Sequence, residues 1–384
     1  MDYQNLKLRA ACAAIAAALL LTSLLSPDAR AALPTYTTPE AGHMRAHFIN
    51  VGQGSSVLLE FSCAAALIDT GGETNDNFDS IKALQEYLDP FFARRADLKK
   101  TLSLVLITHA HIDHTRGLPM ILSHYTVNTY VDNGAETGSG GRQQKAAHTK
   151  AKDSASHMTW QAVTQPQVNV KGGLPINLSV PIPCENNKIQ FHAMWGGLQP
   201  SGNWTSAVFK EQNDWSVVTQ LKFGDTSFLF TGDLEQDVHD AMLEFFCPKP
   251  PAACAALKTD VYHVAHHGSY NGTGPDILAA VTPQLAVMSM GPSTRAGMWT
   301  AVAYGHPRKV AVDMLEGAVT KPRTPTAPVQ VQVANKAGLS GAASSNEFVT
   351  DSISKAIYAT GWDGTVVVDA DMNHSLIINT AGKP

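Results

Sequence analysis

The chain has 384 residues, 44% of them hydrophobic and only 16% charged, with a formal net charge of −5. That length suits one large domain or two ordinary ones, the composition excludes a disordered or fibrous chain, and the negative balance argues against a protein that coats nucleic acid electrostatically. Five cysteines are too few for a disulfide-framework mini-protein, whereas fifteen histidines are unusual and invite a search for metal ligation.

Lys7 and Arg9 precede an apolar run from Ala10 to Leu25, and Ala29-Arg30-Ala31 follows as an A-x-A site. A basic start, a short apolar stretch and a small-residue cleavage site describe a secretory signal peptide over residues 1–31. The run is shorter than the about 20 residues a spanning helix needs, and no later stretch is long and apolar enough to cross a membrane. The expected mature chain, 32–384, is a secreted or periplasmic single domain with no integral membrane segment. It carries 25 basic and 31 acidic residues, net −6. Cys12 leaves with the leader, and an even set remains, Cys63, Cys184, Cys247 and Cys254, which permits two disulfides in an oxidising compartment. Cys247 and Cys254 bracket a Pro-rich loop and suit a staple, which leaves Cys63 and Cys184.

Strands are predicted over 46–51, 57–61 and 65–68, punctuated by Gly52-Gln53-Gly54 and Gly71-Gly72. Phe78, Ile81, Leu84 and Leu88 have helical spacing over 78–95. The continuous apolar run 102–107 reads as a strand buried on both faces, followed by a polar loop 108–114 and a helix starting at Leu118. Residues 133–160 show no clear period and read as a surface insertion, an exposed loop or loose helical excursion. Strands resume at 189–195, 217–223 and 227–230, with a helix at 237–246 and strands at 260–264 and 285–290. A helix over 307–315 follows, and strands return at 355–359 and 365–368. A second surface insertion is expected at 320–348. Alternating strands and helices in both halves imply a layered α/β protein.

His109-Ala110-His111-Ile112-Asp113-His114 follows the buried strand directly. Three imidazoles and a carboxylate at a rigid strand end can wrap a metal ion without reorganising a helix. Thr231-Gly232-Asp233, at a second strand end, supplies a carboxylate able to bridge two ions. His263 to Ser269 follows a third strand; His263 reads as a core or support residue, while His266 and His267 lie at the tip. His124, His148, His157, His239 and His374 fit no motif and are expected at the surface.

This series resembles the metallo-β-lactamase superfamily, and within it the soluble hydrolase domain of ComEC-type DNA-uptake proteins. The resemblance runs through His47–Gly54, Leu67–Gly71, Leu106–His109, Ala265–Ser269, Tyr304–Pro307, Ile357–Thr360 and Gly364-Thr365. It implies an αββα four-layer sandwich. It also implies His109 and His111 on one metal, Asp113, His114 and His267 on the other, and Asp233 between them. His266 and His306 would face substrate, with His266 and His267 not ranked against each other as the ligand, and Asp69 would buttress the His loop. Asn50 and Ser55 stand where the family usually has Asp, and the accompanying membrane channel is missing. The third His of the first metal has no counterpart. Asn213 stands in its stretch, His192 is a further candidate, and one metal position is expected to be labile.

Mixed imidazole and carboxylate ligation suits two Zn²⁺, with Mn²⁺ or Fe as alternatives. The resemblance implies hydrolysis by a hydroxide held between two metals, oriented by Asp113, with His266 or His306 protonating the leaving oxygen. The expected substrate is a phosphodiester, either nucleic acid or an envelope-linked or small molecule. Charge does not favour a long nucleic-acid footprint, which needs phosphate-neutralising Lys and Arg. Alternatives are a β-lactamase or lactonase-type amide or ester hydrolase, or a non-catalytic competence accessory.

Overall fold

Alternation along the strand Thr101–Leu106 explains the layering. Leu104 and Leu106 enter one apolar core, while Val105 and the following Ile107 enter another, as a two-residue side-chain period requires. In the computed structural model, residues 36–168, 174–175, 183–185, 188–197, 211–247, 254–324, 328–336 and 347–381 are described. The expected leader at 1–31 lies outside them, as do 325–327 and 337–346 of the second expected insertion.

The first sheet has the order Leu376–Thr380, Val366–Asp371, His43–Phe48, Val57–Phe61, Ala65–Ile68, Thr101–Leu106, Thr126–Asp132 and Thr159–Ala162. The second runs Ile357–Ala359, Leu285–Met288, Val261–His263, Thr226–Phe230, Val218–Phe223, Ile189–Trp195 and Leu174–Pro175. Between them lies the larger core, where Phe61 meets Phe191 and Phe223 at ring-centroid distances of 6.4 and 6.3 Å. Helices Ser80–Arg94 and Leu118–His124 cover the first sheet through Leu84, Leu88, Phe91 and Ile121. Helices Gln236–Phe246, Pro275–Val281 and Lys309–Ala318 cover the second through Met242, Leu278 and Leu315. The result is an αββα sandwich.

Each sheet is part parallel. Ala65–Ile68, Thr101–Leu106 and Thr126–Asp132 run together in one, and Thr226–Phe230, Val261–His263, Leu285–Met288 and Ile357–Ala359 in the other. Loops leaving the carboxyl ends of parallel strands are the usual place for a ligand site in such sheets. The metal-ligand candidates all sit on these loops.

Three expectations change. Residues 133–160 contain the helix Gly141–Lys152 and the strand Thr159–Ala162, which pairs with Thr126–Asp132. The helix buries small and polar groups, Gln144, Ala147 and His148, so no apolar period marks it. In the described part of 320–348, Val329–Ala334 pairs with Phe348–Ile353 and buries Val331, Val333 and Ile353. His148 and His239 are buried, against the surface expectation, whereas His124, His157 and His374 are exposed. His148 bonds Asp132 and Glu136. The Cys247–Cys254 staple is present, and the remaining pair, Cys63 and Cys184, is also bonded, with Cα–Cα distances of 5.4 and 5.5 Å.

Candidate metal centre

The buttress comes first. Asp69 ends its strand in the left-handed region, φ 58°, which Asp tolerates better than most residues. Its Oδ1 accepts from the Thr108 backbone N–H at 2.8 Å, and its Oδ2 accepts from His114 Nδ1 at 2.8 Å. That bond leaves the His114 Nε2 lone pair facing inward. Gly71 follows because a Cβ there would fall 1.8 Å from the Asp113 carbonyl; the His loop is pressed directly on this turn.

His114 Nε2 lies 3.2 Å from Asp233 Oδ1. Asp233 is delivered by Gly232 at φ 56°, and its backbone N–H donates to Ser216 Oγ at 3.1 Å. The third strand end supplies His267, whose Nδ1 donates to the Ser289 carbonyl at 2.6 Å. A carbonyl only accepts, so Nδ1 carries the proton and Nε2 points at Asp113 and Asp233, 3.4 and 3.3 Å away. One ligand atom each from Asp113, His114, Asp233 and His267 lie within 4.8 Å of one another. His109 Nε2 is 3.9 Å from Asp233 Oδ2 and 3.0 Å from His111 Nδ1. Of the six metal candidates read from the sequence, Asp113, His114, Asp233 and His267 form one cluster, His109 stands beside Asp233, and His111 contacts His109.

The donor set fits divalent metal. His114 and His267 each leave a buried Nε2 with no hydrogen-bond partner, in a cage whose carboxylates call for positive charge. Burial alone would lower the His267 ring, yet Asp233 and Asp113 push it up to about 10. Burial likewise opposes the charged form of His114, and Asp233 and Asp69 raise it well above the ordinary range. His109, by contrast, is held well below its ordinary value by burial and by His114. A metal ion would satisfy the same carboxylates through neutral imidazoles.

At the rim stand His266 and His306, ring centroids 5.5 Å apart. Both are lowered by burial first. Gln53 receives the Gly291 N–H at Oε1 and donates from Nε2 to His306 Nδ1 at 3.1 Å. His306 therefore carries its proton on Nε2. His266 Nδ1 lies 3.6 Å from Glu235 Oε1, and both His266 and His267 have left-handed backbones, φ 49° and 56°. Non-glycine residues there carry strain of order 1–3 kcal/mol, which tends to gather at functional sites.

Glu235 also accepts from Asn213 Nδ2 at 2.8 Å, and Asn213 Oδ1 is buried without a partner. His192 sits instead on the strand Ile189–Trp195, with Gln190 and Lys222 as its neighbours. His263 is the support histidine expected, bonded to Ser289 Oγ at 2.9 Å and pushed down to about 3 by burial. Sequence reading missed Gln53 and Glu235. Gln53 stood between two glycines of a quoted motif, and Glu235 lies two residues past Asp233, so proximity to a motif was the available signal.

The sequence profile of the metallo-beta-lactamase superfamily matches residues 49–175, the stretch holding the His loop. Over those residues the chain is similar to the metallo-beta-lactamase superfamily. ComE operon protein 3 of Bacillus subtilis (strain 168) is 25% identical over 280 residues, covering 70% of this chain. The match spans 30% of that relative's length. Among solved structures, the metallo-beta-lactamase fold protein YhfI from Bacillus subtilis matches 73% of this chain and 94% of its own, at 11% identity and TM-score 0.42. A putative metal-dependent hydrolase from Parabacteroides distasonis matches 71% and 89%, at 12% identity and TM-score 0.37. No helix among the described residues is long and apolar enough to cross a membrane.

Proposed function

We propose that the chain is an exported phosphodiester hydrolase that works with two zinc ions. The observation that carries this reading is the position of Asp233, whose two oxygens lie between His114 and His267 and within 3.9 Å of His109. His109 and His111 would hold one ion, Asp113, His114 and His267 the other, and Asp233 both. Asn213 Oδ1, turned by Glu235, would complete the first position in place of a histidine. Bound divalent ions supply Lewis acidity toward a phosphoryl oxygen and acidify water.

The chain's own groups do the rest. Asp69 and the Ser289 carbonyl fix the His114 and His267 tautomers, so both present Nε2 without rearrangement. Asp113, held well below the carboxylate range by His267 and His114 against the effect of burial, stays an acceptor that orients the attacking water. His306 offers its Nε2–H to an oxygen of the substrate, and Gln53 keeps that proton in place. His266, partly exposed and beside Glu235, is the second substrate-facing donor.

The likeness to ComE operon protein 3 and the matching Ala265–Ser269 and Tyr304–Pro307 segments favour phosphodiesters over β-lactams or lactones. The test is metal analysis combined with a substrate panel. About two equivalents of zinc and turnover of bis(p-nitrophenyl) phosphate, lost in Asp233→Asn, are expected. Turnover of nitrocefin with none of the phosphodiester would overturn the reading, and metal near zero would favour an accessory without chemistry.

A further inference from the structure

A row of rings leads outward from the metal centre. His267 stacks with His306 at 5.9 Å between centroids and 30° between planes. His306 stacks with Tyr304 at 5.8 Å and 21°, and Tyr304 meets Trp299 at 6.4 Å. The inner two rings are buried, but Tyr304 is 38% and Trp299 50% exposed, and the neighbouring Met298 is 75% exposed. Among the described residues, half of the exposed large hydrophobic ones thus fall within seven positions beside the site.

This rim is built and held. Trp299 has φ 63°, a conformation that is a genuine outlier for a bulky side chain and persists only where its surroundings impose it. Thr300 imposes it from one side, donating to the Gly297 carbonyl at 2.8 Å and accepting from the Ala303 N–H. Arg295 anchors the other side of the loop, bonded to the buried Glu73 at 2.9 Å and lying over the Phe78 ring at 4.0 Å.

We propose that Trp299 and Tyr304 form a base-stacking subsite that selects phosphodiesters bearing an unpaired nucleobase. This rests on the phosphodiesterase reading. A sugar ring would need polar side chains along the platform to meet its hydroxyls; the only one between Met298 and Tyr304 is Thr300, already engaged, and the charged groups near Tyr304, Asp113 and Arg116, stand on the side of the metal centre. A flat base needs only a π-face. The subsite also reconciles a phosphodiester substrate with a net charge of −6, because stacking requires no phosphate neutralisation, and binding should depend only weakly on salt.

The test compares a single-stranded oligodeoxynucleotide containing 2-aminopurine with an abasic strand carrying the same phosphates. On the native enzyme the base-bearing strand should show the lower KM, by roughly tenfold. In Trp299→Ala that advantage should collapse, with Trp299→Phe restoring most of it. The half-exposed position keeps this variant folded, since no buried contact is emptied. Binding of the uncut strand to Asp233→Asn, read by 2-aminopurine quenching, reports stacking without chemistry. If the enzyme cleaves no phosphodiester, the parent reading fails while quenching still decides the subsite. Equal KM values for the two strands, an unchanged advantage in Trp299→Ala, or Trp299-dependent binding to phospholipid vesicles in place of quenching would overturn it.

Discussion

Two buried clusters of ionisable groups, one on the first sheet and one gathered from the loops of both sheets, are finished differently. Around Glu60, fully buried on the strand Val57–Phe61, Arg94 and Arg95 donate at 2.7 and 3.0 Å, Arg45 stands at 3.5 Å and His47 Nε2 at 3.3 Å. Arg95 also caps the Phe61 and Ser62 carbonyls. Around Asp233, carboxylates and imidazoles leave Nε2 atoms of His114 and His267 unpartnered. Buried polar atoms are normally satisfied, so unpartnered ones ask for an explanation. The first cluster closes on itself and is architecture; the second turns its lone pairs on a shared point and is chemistry.

Removing Glu60 breaks the comparison most severely. Glu60→Ala removes the carboxylate shared by Arg45, Arg94 and Arg95, leaving Arg95 with Asp97 and Arg45 with Asp369, and should cost about 3 kcal/mol, read as a lowered urea midpoint with metal content per folded molecule unchanged. Loss of metal at full stability would show that the two clusters are coupled.

The same carboxyl predicts a pH dependence. Burial would raise it, but hydrogen bonds from His47 and Arg94 bring it down to about 2 from an ordinary value of 4.5. Its contribution is therefore complete above the ordinary value and lost as pH falls through about 2. Urea midpoints of the native chain should decline across that window, and Glu60→Gln should flatten that part of the curve.

Asp69→Asn sharpens the other side. An amide at that position no longer fixes His114 Nδ1 as the protonated nitrogen, and outer carboxylates of this kind are worth about 10–100-fold in metal affinity. Competition against a chromophoric zinc chelator should show that loss with little change in thermal stability.

What the sequence made legible follows from this contrast. The metal cluster is built from strand-end loops whose residues sit next to one another, His109 to His114 and His266-His267, so local spacing displays most of it. Glu60 was invisible because its partners come from a neighbouring strand and from a helix end 34 and 35 residues away. The helix Gly141–Lys152 was equally hidden, since its buried face is Gln144, Ala147 and His148 rather than an apolar stripe. Long buried strands such as Thr101–Leu106 were read within a residue because burial on both faces writes a continuous apolar run.

The smallest effect tests the weakest point of the metal centre. Asn213 donates from Nδ2 to Glu235, which commits its Oδ1 to face away from that carboxylate. Replacing Glu235 with Gln gives Asn213 a partner that can either donate or accept, so its amide is no longer held one way round. The first ion should then bind a few-fold more weakly, below the 10–100-fold scale of an outer carboxylate on a ligating imidazole, while the second, gathered by Asp113, His114 and His267, is unaffected. Zinc titration resolving two steps would show the weaker step move alone. Equal weakening of both would mean that Glu235 acts through Asp233 or His266 instead, and that Asn213 is no part of the ligand set.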